Sequence, residues 1–262
     1  MANGSIKGIL LAGGILILSV QGWAQRGTGM GMGMRGSDNT GSCQTLIASL
    51  PKQELSTTEA AGLTYLREEE KLARDVYTRL YAKWGSRIFG NIAQSEQRHF
   101  DALKVLLDRY GLVDPAADNA VGVFTDPGLR TLYGNLVAQG QVSPAAALRV
   151  GAAIEDLDIH DLDRALAATD NDDFRIVYQN LQNGSRNHIR AFVGQLQVLG
   201  ETYVAQYIGA AALAEILASP REAGMGNGGG GNGPRGFGRG NGTCPLGNTP
   251  APNSGAGSRG PR

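Results

Sequence analysis

The chain has 262 residues, 42% of them hydrophobic, and 24 basic side chains balance 24 acidic ones for a formal net charge of zero. That balance offers no basic footprint for nucleic acid, and two cysteines far apart in sequence exclude a Cys-x-x-Cys metal knuckle. No dinucleotide fingerprint, phosphate loop or serine-centred nucleophile elbow occurs.

Residues 1–24 read as a secretory signal peptide: Lys7, an apolar run from Ile9 to Val20, and Gly22-Trp23-Ala24 as a small-x-small cleavage signal. The run falls short of the ~20 apolar residues that a membrane span needs. Cleavage after Ala24 predicts an exported protein, periplasmic or extracellular, with no stable membrane span. An uncleaved anchor is the other reading. Residues 25–45 are Gly- and Met-rich, and residues 219–262 are rich in Gly, Asn and Arg. Neither stretch has enough apolar surface to offset the entropy of ordering it, so both are predicted to be disordered arms. Met30, Met32 and Met34 have the thioethers for Cu(I), although such alternation is also ordinary low complexity. Cys43 and Cys244, one per arm, are compatible with a disulfide, with free thiols or with bridges between chains. The foldable domain is therefore 46–218.

The first strong helix runs from Thr58 to Trp84, with Thr57 or Thr58 as its cap and Gly85 as its stop. Leu63, Leu66, Glu70, Ala73, Tyr77, Leu80 and Trp84 share one seam, which places Glu70 inward and Glu68 and Glu69 off the line. A competing stripe, Tyr65, Glu69, Leu72 and Val76, would put Glu69 inward instead. The second helix reaches Tyr110 and is stopped by Gly111. Its seam is Ile92, Glu96, His99, Leu103 and Leu106, so a carboxylate and an imidazole one turn apart sit in an apolar stripe. Some thirty residues follow, from Leu112 to Ser143, with a short helix around Leu129, Leu132, Tyr133 and Leu136. Antiparallel neighbours need only ~2–8 residues to connect, so this length predicts a crossover that lets helices two and three run parallel.

Ser143 caps the third helix, with Pro144 in its first turn. Its seam is Leu148, Ala152, Glu155, Ile159, Leu162 and Leu166, with Asp158 on the adjoining edge and His160 and Asp163 turned to solvent. The fourth helix, from Asp173 to about Val198, lines up Phe174, Val177, Leu181, Ser185, His188, Phe192 and Leu196. Gly184 is costly in a helix interior but admits a close neighbour. A last helical segment is predicted from Glu201 to Leu217, packing across the bundle or forming a subunit contact in a homodimer. Strand signals are weak throughout, and the ordered part is all-α.

Each of the four helices thus carries inward polar groups at mid-length: Glu70; Glu96 and His99; Glu155 and Asp158; His188. One apolar interior does not tolerate four unpaired carboxylates. Oxygen and nitrogen ligands in this number suit a pair of first-row metals such as iron or manganese, and four carboxylates balance two divalent ions. Burial against Arg74, Arg98 or Arg186 is the alternative.

The run Glu70-Lys71-Leu72-Ala73-Arg74-Asp75-Val76-Tyr77 resembles the first-helix ligand motif of rubrerythrins, and Ile92-Ala93-x-x-Glu96-x-x-His99 resembles their second. The resemblance covers roughly Thr58 to Val198 and is nearest to a group of exported ferritin-like domains. It implies a ferritin-like four-helix bundle with a long crossover between helices two and three, plus a C-terminal helix. It further implies two iron ions, Glu70 and His99 as terminal ligands, Glu96 as a bridge, Glu155 as a second carboxylate, His188 as the second imidazole, and Tyr77 as a hydrogen-bond donor beside them. Two departures stand out. The usual Glu-x-x-His of the fourth helix is Ser185-Arg186-Asn187-His188 here, so Asp158 is expected to restore the carboxylate. With two isolated cysteines there is no rubredoxin set, so an external electron donor would be needed. The implied activity is oxidase- or peroxidase-type, with O2 or H2O2 as substrate. A metal store with little turnover and a metal-free structural envelope protein are the alternatives.

Overall fold

The structure is a computed structural model that describes residues 40–118 and 120–222, with side chains from Thr45 onward. The predicted signal peptide, the Met30–Met34 alternation, Cys244 and the side chain of Cys43 lie outside the described residues. Among the described residues there are seven helices and no strand: α1 (Thr40–Ser49), α2 (Thr57–Trp84), α3 (Arg87–Tyr110), α4 (Pro127–Gly140), α5 (Pro144–Ala168), α6 (Asp172–Val198) and α7 (Ala210–Ala218). None is long and apolar enough to cross a membrane.

Local chemistry sets the helix ends. Ser56, not Thr57 or Thr58, caps α2, because Glu59 stands three residues on and completes a capping box. Gly85 and Gly111 close α2 and α3 with left-handed backbones, at φ 63° and 71°. Ser143 caps α5 through the Ala146 N–H, with Pro144 following.

The four long helices form a bundle in which α2 packs on α3 and α5, and α6 on α5 and α3. Its apolar interior is in two parts. One contains Leu63 and Leu66 of α2, Leu103 and Leu106 of α3, Leu162 of α5 and Leu181 of α6. The other contains Val76 and Leu80 of α2, Phe89 and Ile92 of α3, Leu148 and Ala152 of α5, and Phe192 and Leu196 of α6. Along α3 and α5 the chain passes from the second part to the first; along α2 and α6 it passes the other way. Helices α3 and α5 are therefore parallel, as the long connection requires, and α4 within that connection packs on α2 and α5.

The crossover is held by charged residues of α2. Glu68 accepts from the Thr125 N–H, the Thr125 hydroxyl and the Asp126 N–H. Arg67 bonds Asp114. The Lys71 ammonium donates to Asp75 and the Ala120 carbonyl, and Asp75 accepts from the Gly122 N–H. This corrects the expectation that Glu68 leaves the packed face: Arg67 through Tyr77 are all buried, Glu69 as the competing stripe has it, and the crossover covers the side of α2 that carries Arg67, Glu68, Lys71 and Asp75.

Two boundaries also differ. Helix α1 begins at Thr40, inside the stretch predicted to be disordered to residue 45, and packs on α3. The predicted last helix is shorter, since residues 201–209 form a non-helical strap. Asp156 accepts from the Tyr203 hydroxyl and from the Gln206, Tyr207 and Ile208 N–H groups, which satisfies the strap's backbone in place of helical bonds.

Glu59 does more than cap. Its carboxylate also accepts from Thr169 and Asn171 in the α5–α6 turn. Burial alone would raise its pKa, but the hydrogen bonds from Thr169, Ser56 and Asn171 outweigh that and hold it below the ordinary 4.5. Glu59→Gln should cost about 2 kcal/mol at neutral pH, the size of a lost cap plus unsatisfied buried donors. A folded-state pKa below the unfolded value gives stability that is present above 4.5 and lost as pH falls through the lowered value. Urea denaturation should therefore show the gap to wild type closing in acid.

Candidate metal centre

The polar belt lies where the four helices cross between the two apolar parts. Glu70 comes from α2, Glu96 and His99 from α3, Glu155 and Asp158 from α5, and His188 from α6; the most exposed of them, His188, is 8% accessible. All six residues predicted for the site face this belt. The choice between the two α2 stripes dissolves, since Glu69 and Glu70 are both buried, but Glu70 is the one that joins the imidazoles.

Five of the six divide around one residue. Glu70, Glu96 and His99 each offer a ligand atom within 4.8 Å of the others, and so do Glu96, Glu155 and His188. Glu96 belongs to both sets. His99 Nδ1 lies 2.7 Å from Glu96 Oε2 and 3.3 Å from Glu70 Oε2. His188 Nδ1 lies 2.8 Å from Glu96 Oε1 and 3.3 Å from Glu155 Oε2. The two oxygens of one carboxylate thus address two separate imidazoles, whose rings stack with centroids 5.6 Å apart.

These short contacts are not aligned hydrogen bonds: His99 Nδ1, His188 Nδ1, Glu96 Oε1 and Glu70 Oε1 are buried without a hydrogen-bond partner. Buried polar atoms in native proteins are rarely left so. Carboxylate oxygens and imidazole nitrogens that converge in the interior without an aligned hydrogen bond fit a cation at each triad, a proton or a metal ion, and the oxygen–nitrogen donor set suits first-row metals.

The electrostatics make the same demand. Burial alone would lower His188, but Glu96 and Glu155 outweigh it and push it up to about 10. His99 is raised likewise, burial being outweighed by Glu70 and Glu96. Burial alone would raise Glu96, but His188 and His99 hold it well below the carboxylate range. Glu70 has less compensation and is raised, by burial first and then by Asp158. Asp158 is pushed up to about 7 by burial and by Glu155. The cluster draws positive charge to itself, as protons on the imidazoles or as metal ions.

Surrounding residues fix the ligands. The buried Tyr77 hydroxyl donates to Glu155 Oε1 at 2.6 Å, the role predicted for it. Asp158 stands outside both triads; its Oδ2 accepts from the Ser185 hydroxyl and its Oδ1 has no partner. Ser185 therefore holds the α5 carboxylate at the position where α6 lacks its own. The close neighbour admitted by Gly184 is the His99 ring, since a Cβ there would lie 2.5 Å from Nε2. Arg98 bonds the Gln94 carbonyl, Arg186 bonds Glu222 and Asn183, and Arg74 bonds Asp75 and Gln97.

Residues 59–220, a span that contains every one of these side chains, match the family described as "Uncharacterized protein domain (DUF2202)". The chain belongs to that family. A relative within reach of close comparison is "Uncharacterized protein MJ0754" of Methanocaldococcus jannaschii, 52% identical over 179 residues, covering 68% of this chain and 97% of the relative. The crystal structure of hypothetical protein MJ0754 from Methanococcus jannaschii DSM 2661 superposes with a TM-score of 0.66 at 52% identity, covering 66% of this chain and 99% of that one. The DUF2202 domain here is thus the helical bundle itself, and α1 precedes it.

Gly184 separates packing from propensity. Ala is favoured over Gly in a helix by ~1 kcal/mol, while overpacking a core costs ~1–3 kcal/mol. Gly184→Ala should lower stability, because the Cβ meets the His99 ring. Gly194→Ala, on the same helix with nothing within 4 Å of the added Cβ, should raise it by about 1 kcal/mol. Chemical denaturation of the two variants checks the contrast.

Proposed function

We propose that the belt is a dinuclear metal centre, holding two iron ions, with manganese as the alternative, and that the protein is an oxidoreductase of oxidase or peroxidase type. The observation that carries this reading is the sharing of Glu96 between two ligand triads, one carboxylate oxygen to each imidazole. Glu70 and His99 would complete one position, and Glu155 and His188 the other. Asp158 would supply the carboxylate that α6 lacks. The parallel arrangement of α3 and α5 across a long connection supports a ferritin-like bundle, the architecture that carries such centres.

When bound, the metals would supply two electrons for reducing O2 or H2O2. The chain's own residues do the rest. Tyr77 fixes one oxygen of Glu155, and Ser185 fixes one oxygen of Asp158. Apolar layers on both sides keep bulk water from the belt. Reduction of one peroxide to two waters consumes two electrons and two protons, so turnover requires an external electron donor. Two isolated cysteines provide no rubredoxin-type set within the chain. That favours, as a second reading, a metal store with slow turnover. The sequence of residues 1–24 supports export, and a role outside the cytoplasm in oxidative-stress defence or iron handling follows from it.

Anaerobic Fe(II) titration of protein purified without a His tag should reach two equivalents per chain. His188→Ala should retain about one, and Glu96→Ala should lose both, because it removes a ligand from each triad. Uptake below half an equivalent by wild type overturns the dinuclear reading. Stopped-flow mixing of the loaded protein with peroxide or O2 separates the two readings: oxidation within seconds supports the oxidoreductase, and none within minutes supports the store.

A further inference from the structure

Glu69 takes no part in either triad, yet it is 3% exposed and both its carboxylate oxygens are buried without a hydrogen-bond partner. Every other charged residue from Arg67 to Asp75 except Glu70 has a partner in the crossover or beside it. The groups whose charges bear most on Glu69 are Asp161, Asp158 and Glu70, in that order. Asp158 and Asp161 are one helical turn apart on α5, which packs on α2. Asp158 in turn feels Glu155 and Glu96 and keeps one oxygen, Oδ1, buried and unpartnered. Asp161 lies at the outer end, with its side chain 16% exposed; its ion-pair partner Arg164, at 3.7 Å, is 75% exposed and free to swing away. Tyr65 of α2 and Tyr207 of the strap, both about a third exposed, feel both Glu69 and Asp161.

We infer that Asp161, Glu69 and Asp158 form an uptake route by which divalent cations pass from the surface to the buried centre, with Glu69 as its transient binding position. A carboxylate with two unpartnered oxygens between an accessible acid and an inner acid can take a cation from one and release it to the other. Holding a cation for long there is disfavoured, since among the described residues these carboxylates do not bring three ligand atoms within 4.8 Å of one another. The strap that Asp156 anchors sets Tyr207 against His160, with ring centroids 6.4 Å apart.

The inference rests on the dinuclear reading, and its test keeps the two apart. Mature, metal-free protein is mixed with Co(II) alone in a stopped-flow instrument, loading is followed by d–d absorption, and final stoichiometry is measured by metal analysis. Glu69→Gln and Asp161→Asn should each load at least about tenfold more slowly, the low end of what local charge does to an ion's on-rate, and still reach two equivalents. Asp163→Asn removes an exposed charge on the same helix off the route and should load at the wild-type rate. Wild-type loading rates in Asp161→Asn, a partly exposed position where the fold tolerates the change, overturn the route whatever Glu69→Gln shows. Equal slowing in Asp163→Asn also overturns it, since the effect would then be one of general charge. Failure of the wild type itself to reach two equivalents overturns the dinuclear reading instead.

Discussion

The whole bundle answers to one cost, that of placing carboxylates between two apolar layers. Glu70, Glu96, Glu155, Asp158 and Glu69 are all at most 5% exposed. A buried charge without a counter-charge is destabilising by several kcal/mol. Elsewhere on α2 the chain meets that cost with the crossover: Arg67 finds Asp114, Glu68 finds the backbone of residues 125 and 126, and Lys71 finds Asp75. At the belt it does not. Two imidazoles face five carboxylates, and burial raises Glu70 and Asp158 toward the protonated form because the imidazoles do not compensate them all. Such a cluster is unfavourable as a purely structural device, because apolar residues of similar volume would be at least as stable.

The same arrangement explains why four helices and a long connection are needed. A shared carboxylate must be approached from two sides at once. Glu96 sits on α3, and its two neighbours with imidazole or carboxylate ligands are α2 on one side and α6 with α5 on the other. Each helix supplies at least one inward group at the level where it crosses from one apolar part to the other, so register along the axis matters as much as face. Capping residues set that register: Ser56 and Glu59 for α2, Ser143 for α5.

Much of this was readable in the residues. A seam of alternating three- and four-residue steps located Glu70, Glu96, Glu155 and His188, because periodicity reports the inward face directly. The length between Gly111 and Ser143 implied the parallel pair. Other features were hidden for a physical reason. Glu69 and Glu70 read as alternatives because a single-seam picture allows one inward face, whereas α2 is covered on more than one side and both are buried. The strap at residues 201–209 reads as helix because its composition allows helix. What decides otherwise is Asp156, some fifty residues away, which gathers four donors from it. The start at Thr40 was missed because glycine-rich composition before it hides a helix of 10 residues that packs on α3.

The fourth helix carries Ser185-Arg186-Asn187-His188 where the motif that it resembles has Glu-x-x-His. A glutamate at position 185 would bring its own carboxylate inward. The chain has serine there and glycine before it, and both small residues make room. Gly184 lets the His99 ring lie against the α6 backbone, and Ser185 turns its hydroxyl to Asp158. Asp158 is one methylene shorter than glutamate and comes from the neighbouring helix, so it needs the hydroxyl to hold it in line. The exchange leaves Asp158 Oδ1 unpartnered on the side where Glu69 bears on it. A glutamate on α6 would keep its charge on the far side of the bundle from α2. A carboxylate on α5 instead stands one turn from Asp161, whose side chain is 16% exposed.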